Sequence, residues 1–286
     1  MGRPHDEPES SDTDVLYLGA EIRLGAPVAP DLVAWRDILR LLDEASTPGP
    51  LGMYFTVRNE RVAGYREFRG LDALIRILKR PGLVRLGLSA AGARTSLPVE
   101  QVPDFAEAMF CFMPDQNRNE LCAISTSRRL PANGEFLAST LAALVAVFER
   151  CIDATGHIHV SNDAAYVRNE TTALYSRYSK PRYPGEATDA RSEQLKPYRA
   201  ANDPRVFGAY WGTFLNAEQV EALGGVRQVL ATAPVAHTEV LDGGAMYLQL
   251  TDTPEPITTP RMRAALPLLE AYLAPISVPV RYFTAS

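Results

Sequence analysis

Phe207-Gly208-Ala209-Tyr210-Trp211-Gly212-Thr213-Phe214-Leu215, followed by Asn216-Ala217-Glu218-Gln219 and closed by Gly224-Gly225, is the stretch on which the reading of the fold turns. Aromatic and β-branched residues interleaved with glycine describe a buried strand, its glycines admitting another backbone closely. Such a strand belongs in the middle of a sheet. Asn216 fits a helix N-cap, Gln219 can return a hydrogen bond to the cap's backbone, and the glycine pair is a helix stop.

Working outward, the 286-residue chain is 46% hydrophobic, enough to build a sizeable core in one large domain or two modest ones. Residues 1–14 hold five acids against Arg3 and no apolar residue after Met1, the composition of a disordered acidic tail. Val15 to Leu24 reads as a strand, Asp31 to Ala45 as a helix, Gly52 to Val57 as a strand, Leu71 to Lys79 as a helix and Leu83 to Leu88 as a strand. Phe105 to Met113 and Leu121 to Ser127 form an antiparallel pair around the polar turn 114–119, and Gly134 to Cys151 carries the strongest helical spacing.

His157 to Val160 reads as a short strand and Asp163 to Tyr178 as a helix. The proline-rich stretch 179–204 reads as the chain's longest loop. Beyond the opening stretch, Gln228 to Ala231 extends a short helix. His237 to Leu241 and Met246 to Leu250 form a hairpin turned at Asp242-Gly243-Gly244. Arg261 to Leu273 is an amphipathic helix started by Pro260, and Val278 to Phe283 an edge strand. The expected fold is α+β: a mainly antiparallel sheet with helices packed on one face, in a single domain over 15–286 whose two halves share a strand-and-helix content without residue-level repeats.

The order aromatic-Tyr210-Trp211-Gly212-Thr213-Phe214-Leu215, a short helix ending Leu223-Gly224-Gly225, then Gly243-Gly244-Ala245-Met246-Tyr247-Leu248-Gln249-Leu250, resembles the C-terminal half of the TsiV-like immunity proteins of type VI secretion. The resemblance is clearest over about Val206 to Leu250 and spans the chain more loosely from Asp14. It implies a cytoplasmic protein, not an enzyme, that binds and neutralises a cognate secreted toxin, usually a nuclease. The matching residues Tyr210, Trp211, Gly212, Phe214, Leu215, Gly224 and Gly225 are structural in character and name no contact surface.

Charge and composition narrow the chemistry. A formal charge of −5 argues against general nucleic-acid binding and suits a basic partner. Cys111, Cys122 and Cys151, widely spaced in apolar segments, read as reduced core residues, and with no signal-peptide core or apolar span the chain reads as cytoplasmic, with no membrane contact. His157 and His159 lie two apart on a strand and so share a face, a workable geometry for two metal ligands that needs a third from His237 or Cys151. P-loop, dinucleotide, His-Glu-x-x-His and Gly-x-Ser-x-Gly patterns are all missing from the sequence, and no cofactor or metal is expected.

Between Asn216 and Pro256 the acids Glu218, Glu221, Glu239, Asp242, Asp252 and Glu255 face one base, Arg227, whereas 157–205 is mildly basic. Carboxylates opposite the cationic groove of a nuclease speed encounter and set register, so these six are the first candidate partner surface. Tyr183 and Tyr198, among arginines in the long loop, are the second. The expected function is stoichiometric neutralisation of a toxin by occluding its active or substrate-binding site or blocking its assembly, by a monomer or a homodimer. The competing readings are a metal-dependent hydrolase built on His157 and His159, and an adaptor that loads the toxin onto secretion machinery.

Overall fold

The computed structural model describes residues 16–23, 40, 51–58, 61–78, 83–90, 106–113, 118–128, 134–149, 154–161, 195, 197–198, 201, 203–255 and 259–279. The acidic tail 1–14, the expected helix over 163–178, nearly all of the expected helix over 31–45 and the candidate Tyr183 lie outside the described residues.

Among the described residues ten strands form one sheet: β1 (Leu16–Arg23), β2 (Leu51–Arg58), β3 (Arg61–Glu67), β4 (Leu83–Ala90), β5 (Ala106–Met113), β6 (Arg118–Arg128), β7 (Thr155–Ser161), β8 (Gly212–Leu215), β9 (His237–Val240) and β10 (Met246–Gln249). Their order across the sheet is β3-β2-β4-β5-β6-β1-β7-β8-β10-β9, and every pairing is antiparallel. The helices are α1 (Leu71–Leu78), α2 (Gly134–Glu149), α3 (Ala217–Ala222), α4 (Val226–Thr232) and α5 (Pro260–Leu273). This is the α+β, antiparallel fold class that the spacing of apolar residues implies. The two halves of the chain meet at β1 and β7, with six strands from the first half on one side and four from the second on the other.

The central strands are buried because both faces carry cover. Ala20, Ile22, Ile158 and Phe214 share one face by register, and there the Phe148 ring of α2 stacks on Phe214 with centroids 4.7 Å apart. On the opposite face Thr213, Leu215, Met246 and Leu248 are buried as well. Helix α5 contributes Met262, Leu266, Leu269 and Leu273, an apolar stripe at helical spacing. Its start is fixed by Thr259, whose hydroxyl accepts the Met262 N–H, and by Pro260 in the first turn, where the missing N–H costs nothing.

Four expectations need correction. The strand over 207–215 is reduced to Gly212–Leu215, because Gly208 takes a φ of +120° that breaks the extended run; Phe207 to Tyr210 are buried but irregular. The loop over 179–204 is not loop at its end: Leu195, Pro197 and Tyr198 are helical, and the Ala201 N–H reaches the Pro197 carbonyl at 3.0 Å. Of the edge strand expected over Val278 to Phe283 only Val278 and Pro279 are described, and neither is in a strand. The Val278 N–H instead bonds the Val206 carbonyl next to an isolated parallel bridge from Val206 to Ser277, and Pro279 has no N–H with which to continue the ladder. Finally, β3 had no counterpart in the sequence reading. It is an outer strand with exposed Arg66 and Glu67, so its pattern lacks the apolar run of a buried strand.

Candidate partner-binding surface

The residues of the opening motif are interior. Trp211 is buried, its indole N–H donating to the Thr251 hydroxyl at 3.0 Å and the Thr253 carbonyl at 3.2 Å, while its carbonyl accepts the Leu250 N–H at 2.8 Å. Gly212 leaves room for side chains rather than for another backbone: a Cβ there would lie 2.9 Å from the Tyr247 hydroxyl and 3.1 Å from Ile158 Cβ. Burial, and secondarily the charge of Glu239, raises the Tyr247 pKa above that of an ordinary phenol.

Helix α3 is defined at both ends. Asn216 Oδ1 accepts the Gln219 N–H at 2.9 Å and Gln219 Oε1 accepts the Asn216 N–H at 3.1 Å, a capping box. At the other end Gly224, with φ +98°, donates to the Glu221 carbonyl and Gly225 to the Val220 carbonyl, the paired bonds of a Schellman stop. Gln219 also donates through Nε2 to the Pro204 carbonyl at 2.8 Å, tying α3 to the segment that leads into the motif.

That segment is held by a residue the sequence reading passed over. Buried Arg23 on β1 donates to the carbonyls of Asp203 at 2.7 Å and Arg205 at 2.6 Å, with its guanidinium 3.3 Å from the Phe207 ring centroid. The only advance signal was a charged residue at the end of an apolar strand. The Asp203 carboxyl lies below its usual range, chiefly because the Arg205 side chain donates to it at 2.9 and 2.7 Å; burial opposes this, and the charges of Arg205 and Arg23 add to it.

His157 and His159 do share a face of β7, and both are buried: they are 4% and 1% accessible, and His157 stacks on Tyr210 with centroids 3.7 Å apart. His237 cannot be their third ligand. It sits on β9, three strand spacings from β7, or about 14 Å. Cys151 lies outside the described residues. Among the described residues no group of three or more His, Cys, Asp and Glu is arranged to hold a metal ion.

The six carboxylates of the first candidate surface divide into two sets. Asp252 and Glu255 are both bridged by Arg261, at 3.2 and 3.1 Å, and Glu255 also accepts from the Thr259 hydroxyl, so one cation offsets part of their charge. Glu218, Glu221, Glu239 and Asp242 are exposed. Helix α3, which carries Glu218 and Glu221, contacts the turn Asp242–Gly244 at the end of β9, and the Asp242 N–H points at Glu149 Oε1, 3.4 Å away. The fold thus brings Glu149, from the end of α2, to Asp242, and sets helix α3, with its two acids, against the same turn. Tyr198, of the second candidate surface, is half-buried against Leu195, Phe207 and Val278, with the Arg205 guanidinium 5.7 Å from its ring centroid.

The fold and this surface define an α+β protein with a wide antiparallel sheet and an acidic end. Among solved structures it is similar to the Pseudomonas aeruginosa T6SS protein PA0821, a type VI secretion system protein, at 14% identity and a TM-score of 0.54, over 92% of this chain and 73% of that one. At this identity the likeness establishes a shared fold. No protein-family model matches the sequence, and a search of curated proteins finds no significant match. No helix among the described residues is long and apolar enough to cross a membrane.

Proposed function

We propose that this protein is an immunity protein of the TsiV-like kind, which binds a cognate type VI secretion toxin in the cytoplasm and neutralises it stoichiometrically, without catalysis. The observation that carries this reading is the likeness over 92% of the chain to a type VI secretion system protein, joined to the sequence resemblance over Val206 to Leu250. The exposed carboxylates Glu149, Glu218, Glu221, Glu239 and Asp242 support a basic partner, and a nuclease offers such a surface where it holds phosphates. Occlusion of that groove is the mode of inhibition the charge favours.

The test is capture of partners by tagged protein from the native host's lysate. Purified protein is then titrated against the captured toxin's nuclease activity. One toxin silenced at an equimolar ratio supports the reading; a partner whose activity is untouched at excess protein removes it.

A further inference from the structure

Strand β9 is the end of the ten-stranded sheet: it pairs with β10, and no described residue pairs with its other side. The Leu241 N–H donates to the directly opposite Ala245 carbonyl at 2.9 Å. Hydrogen-bonding direction alternates along an antiparallel strand, so Glu239 turns its backbone groups toward β10 while Thr238 and Val240 turn theirs outward. Those outward groups form a template for one more strand.

The side chains along this edge also alternate. Thr238 and Val240 lie on one face of the sheet, and Val240 is 49% exposed, one of three exposed large apolar side chains among the described residues. His237 and Glu239 lie on the other, and Asp242 meets Glu149 where the strand ends, beside helix α3 with Glu218 and Glu221. A strand laid beside β9 therefore meets an apolar neighbour on one face and carboxylates on the other.

We propose that β9 is a docking edge for an extended segment of a partner protein, one that alternates apolar with Lys or Arg residues and adds an eleventh strand to the sheet. The partner's main chain supplies the hydrogen bonds, its apolar residues pack beside Val240, and its basic residues lie beside Glu239 and Asp242. A second copy of this chain is a poor occupant, because edge-to-edge pairing would set one acidic edge against another. Under the proposed function the segment belongs to the toxin, and in that respect the inference rests on that reading.

The probe is a labelled synthetic peptide of alternating valine and lysine, with a valine and glutamate peptide as control, followed by fluorescence anisotropy on the full chain at low salt. The lysine peptide binds and the glutamate peptide does not. Val240→Pro removes an outward N–H while sparing the β10 ladder and weakens binding at least tenfold; Glu239→Lys does the same through charge. A lysine peptide N-methylated on the amides that face β9 loses binding without any change to the protein, which keeps the test decisive if Val240→Pro fails to fold. Equal binding of the lysine and glutamate peptides, or undiminished binding of the methylated one, overturns the proposal. A toxin that binds Val240→Pro normally overturns the docking edge and leaves the immunity reading standing; peptide binding without any toxin partner does the reverse.

Discussion

The Tyr247 ring lies across Gly212, its hydroxyl 2.9 Å from where a side chain at that position would begin. Tyr247 and Phe214 are opposed across β10 and β8, their ring centroids 4.9 Å apart, and Phe214 in turn carries the Phe148 ring. The glycine of the motif is thus the space into which the aromatic stack closes.

Gly212→Ala should destabilise the fold by about 1–3 kcal/mol, because Ile158 and the ring, both buried, have nowhere to move. Thermal unfolding measures it. Pairing the substitution with Tyr247→Leu should recover part of the loss, and a Gly212→Ala variant with unchanged melting temperature would contradict the packing described.

Trp211→Ala should cost about 3–5 kcal/mol as a buried large-to-small change. Trp211→Phe should cost less because it keeps a six-membered ring in the core; beyond the volume lost, the cost should be on the order of 1–2 kcal/mol for the indole N–H shared by Thr251 and Thr253. Denaturant unfolding of the two variants separates packing from hydrogen bonding.

Asp203 gives a dependence on pH. Its carboxyl is depressed in the folded chain, chiefly by the Arg205 side-chain hydrogen bond, so its stabilising contribution is present above the ordinary carboxylate pKa of about 3.9 and is lost as pH falls through the folded value. Asp203→Asn should therefore be less stable than the parent at neutral pH and approach it in acid. Unfolding free energies across that range check the sign; a gap that widens toward acid would show that the Asp203 carboxylate does not stabilise the fold.

Reversing Glu218, Glu221, Glu239 and Asp242 together should slow association with a basic partner several-fold at low salt and flatten its salt dependence. Neutralising Asp252 and Glu255 should do much less, because Arg261 already pairs with both. Stopped-flow association rates at two salt concentrations distinguish the sets.

Local rules made much of the fold legible. The capping box at Asn216 and Gln219, the paired glycines after α3 and the Asp242-Gly243-Gly244 hairpin depend on neighbours in sequence, and each is found where its residues stand. What escaped was set by distant residues. Gly208's positive φ shortened the motif strand, Arg23's role depends on carbonyls 180 and 182 residues away, and Arg261 falls beyond the acidic stretch whose charge it offsets. The candidate surface was legible as a charge imbalance, but its division into paired and exposed acids was not. An edge strand is expected over Val278 to Phe283, of which 280–283 lie outside the described residues; the described sheet ends at β9, whose edge position follows from pairings that its own four residues do not reveal.

The most direct measurement of the central claim is a titration of the captured toxin's nuclease activity with purified protein. Complete loss of activity is expected at one molecule of protein per toxin. Full nuclease activity in a demonstrably formed complex would contradict it.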